Sequence, residues 1–96
     1  MPIRRSPRHD LLREILASQR DAAGVTQVEL AARLRRLQSW VSKVENGERR
    51  IDVVEFLEVV EALGCSAHDI LSELDRRHAA LVAKPKRGRS RKAVPS

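Results

Sequence analysis

Apolar residues recur three and four positions apart in five stretches of this chain, each bounded by glycine, proline or a capping residue. That spacing places them on one face of a helix, so the pattern predicts an all-α fold with five helices around a single core. The first stretch opens at Ser6-Pro7, with proline at the first helical position. It carries Leu11, Leu12, Ile15 and Leu16 through about Ala23, and Gly24 closes it. The second opens on Thr26 as N-cap, with Glu29 three residues on in capping-box spacing, and lines up Val28, Leu30, Ala31 and Leu34. The run RRLQ (35–38) breaks the pattern. It resumes with Val41 and Val44, and Asn46-Gly47 stops it. In the fourth, Asp52 and Glu55 repeat the capping spacing. Val53, Phe56, Leu57, Val60 and Leu63 make the apolar face, ended by Gly64. Ser66 and Asp69 open the fifth, expected from Ala67 to about Ala83, with Ile70, Leu71, Leu74, His78, Leu81 and Val82 down one side. This helix outlasts what a five-helix core needs. Its later apolar residues either form a seam between two copies or cover the core.

The stretch from Thr26 to Gly47 organises the rest: two short helices joined by a tight turn. On the second, Gln38, Ser39, Ser42 and Lys43 fall at i, i+1, i+4 and i+5, one stripe along the side away from Val41 and Val44. Such a stripe is either an ordinary solvated face or a surface that reads bases. Glutamine matches the paired donor and acceptor of adenine, lysine the acceptors of guanine, and serine adapts to either. A helix about 10–12 Å across also fits the major groove. Trp40 sits off the Val41/Val44 line. It either packs against a neighbouring helix or touches a thymine methyl or sugar at the groove edge.

TQVELA at 26–31 and QSWVSKVENG at 38–47, followed by GERR, resemble the XRE family of helix-turn-helix proteins, the lambda-repressor-like DNA-binding domains. The resemblance covers residues 10–75 and includes Leu63-Gly64. It implies a compact five-helix domain, a homodimer on palindromic double-stranded DNA, phosphate contact from Gln27, and base contact from Gln38, Ser39 and Lys43. It also implies an ion pair between Arg20 and Glu45, where the bare sequence would allow a solvated arginine. Two positions depart from the family pattern. Arg35 stands where glycine is usual in the turn, so either the turn differs or a positive φ is tolerated. Leu37 stands where Ser, Thr or Pro caps the third helix, leaving those N–H groups to Gln38 or to DNA phosphate.

Charge sharpens the picture. The net charge is +6 over 96 residues, and Lys84, Lys86, Arg87, Arg89, Arg91 and Lys92 account for all of it. The division expected is a loose arm at 1–9 with Arg4, Arg5 and Arg8, a helix-turn-helix domain at 10–83 with the motif at about 26–46, and a basic disordered tail at 84–96. Within the neutral remainder, residues 33–50 hold Arg33, Arg35, Arg36, Lys43, Arg49 and Arg50 against Glu45 and Glu48, whereas residues 51–75 hold acids and no lysine or arginine. A basic side beside an acidic side orients a protein in a phosphate field. With the Gln27 contact that the resemblance implies, Asn46, Arg49 and Arg50 are expected on phosphate, and Arg36 and Trp40 as further contacts. In the tail, Arg87-Gly88-Arg89 resembles an AT-hook, a minor-groove element. The other reading is a tail that finds any phosphate.

The same residues exclude other classes. Cys65 is the single cysteine, and His9, His68 and His78 lack ligand spacing, so neither a disulfide framework nor a metal site is expected. Glu55, Glu58 and Glu61 at every third position read as a solvated helix face. No Gly-rich phosphate loop is present, and no enzyme or cofactor is expected. MPIRRSPRHD offers no signal sequence and no segment could span a membrane, which points to a cytoplasmic, nucleoid-associated protein. Beside a sequence-specific regulator, two function classes stay open. One is an antitoxin or adaptor that binds a partner protein through the acidic residues 52–75. The other is a nucleoid-type binder in which the tail dominates.

Overall fold

The computed structural model describes residues 6–83; the tail with Arg87, Gly88 and Arg89, and arginines 4 and 5 of the arm, lie outside the described residues. Among the described residues five helices follow one another: α1 (Pro7–Ala22), α2 (Gln27–Leu34), α3 (Gln38–Glu45), α4 (Val53–Leu63) and α5 (Ala67–Val82). Among the described residues no helix is long and apolar enough to cross a membrane.

Local chemistry starts each helix. Ser6, Thr26, Asp52 and Ser66 each accept an N–H of the first turn on the side chain, and Thr26–Glu29 and Asp52–Glu55 close full capping boxes. Because Ser6 is the cap, residues 7–9 form the first turn of α1. Helix α3 is the exception. Its N-cap Leu37 makes no side-chain hydrogen bond and is 77% exposed.

The turn between α2 and α3 keeps the left-handed residue despite the missing glycine. Arg35 has φ 58 and ψ 43. Its N–H donates to the Ala32 carbonyl, and the Arg36 N–H reaches back to Ala31 at 2.9 Å. These two bonds make a Schellman closure, which satisfies carbonyls that the end of α2 would otherwise leave open. Strain of about 1 kcal/mol at Arg35 is the cost.

The core is aliphatic apart from Phe56. Helix α1 contributes Ile15 and Leu16, α2 Leu30 and Ala31, and α3 Val41, with Val25 at the α1–α2 junction. Helix α1 packs along α5, and α2 against α3 and α4. On α4 the buried set is Phe56, Val59 and Val60, while Val53 and Leu57, expected inward, are exposed. VVEFLEVVEAL is apolar on almost every side, so spacing alone cannot choose its inner face. Glu55 corrects a second expectation: it is buried at 8% exposure rather than solvated. On α5 only Ile70 is fully buried, with Leu74 packed against the core. Leu71, Leu81 and Val82 stay exposed, so the end of α5 does not cover this core.

Candidate nucleic-acid interface

The interface is built outward from a shielded ion pair. Arg20 on α1 donates from Nε to Glu45 Oε2 at 2.6 Å and from Nη2 to Oε1 at 3.0 Å, with the side chains 13% and 12% exposed. Its third donor group, Nη1, reaches the Val25 carbonyl at 2.8 Å. The hydrogen bonds to Glu45 raise the Arg20 pKa above its ordinary value and outweigh its burial. Helix α3 is therefore clamped to α1 at its C-terminal end.

The clamp continues to the surface. Gln27, the first residue of α2, donates from Nε2 to Glu45 Oε1 at 2.9 Å, and Gln38 Nε2 donates to Gln27 Oε1 at 3.3 Å. Gln38 is exposed at the start of α3, so a largely shielded charge is linked to an exposed amide through two hydrogen bonds. Ser39 and Lys43 are exposed on the same helix, whereas Ser42 is half-buried and accepts a 3.5 Å contact from Asn46 Nδ2. The expected stripe is thus uneven: three residues stand out and the fourth is turned toward Asn46.

Arg13 is a functional neighbour that sequence reasoning misses. Its Nη1 donates to the Glu45 carbonyl at 2.7 Å and its Nε to Asp10 at 3.3 Å. Its guanidinium lies over Gly47, where a Cβ would come within 2.9 Å of Nε. With φ at +81, that position suits glycine on both counts. The partner is 32 residues away, and no local spacing signals it.

A second group lies on the other flank of α3. The Arg36 guanidinium stacks 4.4 Å from the Trp40 ring centroid, and that of Arg49 lies at 5.6 Å. Arg49 Nη2 bonds Glu55 Oε2 at 2.5 Å, and Arg36 Nη2 approaches the same oxygen at 3.6 Å. Trp40 is half-buried against the core, and its buried indole N–H has no partner among the described residues. Arg50 is exposed in the following loop. That loop is tied back to α1, where His9 Nε2 accepts the Ile51 N–H at 3.3 Å. Burial first, then the positive charge of Arg50, lowers the His9 pKa. Among the described residues no three His, Cys, Asp or Glu side chains cluster as a metal site.

Two short helices at a tight turn, the second carrying an exposed polar edge and flanked by arginines, define a helix-turn-helix domain. The sequence matches the family model of that description, "Helix-turn-helix domain", over residues 11–72. An XRE-family-like protein of Pseudomonas syringae pv. tomato is 48% identical, over 73% of this chain and 85% of that one, with a TM-score of 0.70. The clp gene regulator ClgR of Corynebacterium glutamicum is 30% identical, over 76% and 94%, with a TM-score of 0.68. The restriction-modification controller protein C.Esp1396I shares the fold at 17% identity, over 79% and 99%, with a TM-score of 0.73. No curated protein matches the sequence. The chain belongs to the XRE family of helix-turn-helix DNA-binding transcription regulators.

Proposed function

We propose that this protein is a sequence-specific regulator that binds a palindromic operator as a homodimer and reads bases with α3. The observation carrying most weight is the relay Arg20–Glu45–Gln27–Gln38, which engages the exposed Gln38 amide at the leading end of α3 through one of its two N–H donors. A recognition side chain fixed before contact loses less entropy on binding. Gln38, Ser39 and Lys43 read base edges, with Ser42 in a supporting place beside Asn46. Gln27, Asn46, Arg49 and Arg50 set the register on phosphate. The exposed Leu81 and Val82 at the end of α5 supply the seam between two copies. A two-fold dimer then places its two α3 helices on half-sites about 34 Å apart, one turn of DNA.

The direct test of base reading is Gln38→Ala on cognate and on scrambled duplex. It should cost roughly 1–3 kcal/mol on the first and much less on the second. Equal losses on both would remove α3 from base recognition.

A further inference from the structure

Glu55 poses a problem in charge. It is a buried carboxylate next to the arginines of a DNA-binding face, where Coulomb repulsion with phosphate should count against it. Its two oxygens are divided. Oε1 accepts the Asp52 N–H at 3.0 Å and completes the α4 cap. Oε2 holds Arg49 at 2.5 Å and lies 3.6 Å from Arg36. Those arginines come from opposite ends of α3, one from the turn before it and one from the loop after it, and both guanidinium groups lie on the Trp40 ring.

The three side chains form one wall of a recess of about 610 Å³, completed by Arg35, Leu37, Ser39 and Lys43. Four bases line it and no acid does, because Glu55 stands behind the wall. Trp40 also borders the core beside Val41 and Ile51, so the wall has a rigid backing.

We infer that this recess seats a backbone phosphate of bound DNA, and that Glu55 is a positioning residue that holds Arg36 and Arg49 for it without touching DNA. The inference rests on the DNA-binding reading above. Each guanidinium has five N–H donors, so one engaged by Glu55 retains others for a phosphate oxygen. Its rotamer freedom is already restricted in the free protein, which reduces the ordering cost on binding. Positioning and plain Coulomb repulsion predict opposite signs. Removing the Glu55 charge weakens DNA binding in the first case and tightens it in the second.

The test uses the full chain and a short, labelled, mixed-sequence duplex, with affinity measured across a salt series. Glu55→Gln removes the charge but keeps a residue that serves in the capping box. Glu61→Gln is the charge-matched control on the exposed side of α4. Glu61→Gln should bind slightly tighter with an unchanged salt slope. Glu55→Gln should bind several-fold weaker, with the log–log slope shallower by about 1, for the one phosphate that the arginines no longer hold. Arg36→Gln and Arg49→Gln should each flatten the slope by about 1, and by less in the Glu55→Gln background. A purely structural Glu55 would lower the melting temperature and leave the slope alone. Tighter or equal binding by Glu55→Gln with an unchanged slope overturns the positioning role and leaves the DNA reading standing. If that variant melts below the assay temperature, unchanged slopes in both arginine variants overturn the phosphate seat. A wild-type chain that binds no duplex takes down both readings together.

Discussion

Replacing Glu45 by alanine should be among the most damaging single changes on this surface. The carboxylate accepts two bonds from Arg20 and one from Gln27, at 2.6–3.0 Å, and little of it meets solvent. Without it the Arg20 guanidinium keeps the Val25 carbonyl and a 3.5 Å approach to exposed Asp21. Breaking a buried pair by removing one partner costs about 3–5 kcal/mol, because a charge is left poorly solvated. The remaining partners and the slight exposure reduce this to roughly 2–4 kcal/mol. At 4–8 °C per kcal/mol for a domain of this size, the melting temperature should fall by on the order of 10–25 °C. The Arg13 bond uses the Glu45 backbone carbonyl and survives the substitution. The control is Glu58→Ala, whose carboxylate is half in solvent and 3.8 Å from Arg36. It should cost less than about 0.5 kcal/mol. Thermal unfolding followed by circular dichroism separates the two. Melting temperatures within about 2 °C of each other would mean the pair contributes no more than a surface contact.

Two further perturbations test the frame around the interface. Arg35→Gly removes left-handed strain of about 1 kcal/mol but adds about 0.4–1 kcal/mol of unfolded-chain entropy, so it should stabilise the domain by no more than about 0.5 kcal/mol. A lower melting temperature would show that the Arg35 side chain contributes more than its backbone costs. His9 contributes to pH dependence near neutrality. Burial and Arg50 hold its folded pKa below the ordinary 6.5, so the unfolded chain takes up the proton first. The stability that His9 contributes is complete above about pH 6.5 and is lost as pH falls from there through the folded value. Asp10 opposes this shift and Arg13 adds to it. Wild type should therefore lose more stability than His9→Gln between about pH 7.5 and 5.5; parallel curves would contradict the lowered His9 pKa.

What is legible in the sequence is local. Thr26 with Glu29 and Asp52 with Glu55 announce capping boxes because both partners lie within one helical turn. The helix-turn-helix spacing is likewise written in a continuous segment. Interactions between distant residues stay hidden unless the family resemblance supplies them. Arg20–Glu45 can be named only that way, and Arg13, with no such guide, gives no sign in the sequence although it holds the same residue's carbonyl. Glu55 looks solvated because Glu55, Glu58 and Glu61 share a spacing. Its burial depends on Arg36 and Arg49 arriving from either end of α3. The inner face of α4 is misread from spacing because its apolar residues lie on almost every side, and the choice falls to packing against α2 and α1. Ser42 shows the limit of a stripe read at ideal geometry, since one short side chain at its edge is half-buried beside Asn46.

The most direct test of the central claim is selection of bound sequences from a random duplex library, performed with the full chain and with the double variant Leu81→Ser, Val82→Ser. The wild-type protein should enrich one palindromic motif whose half-sites lie about 10 base pairs apart or a multiple of that, as two α3 helices on a two-fold axis require. The double variant should enrich the single half-site, weakly. A wild-type pool with no enriched sequence, despite tight binding, would contradict base reading by α3 and leave a protein that holds DNA by its phosphates alone.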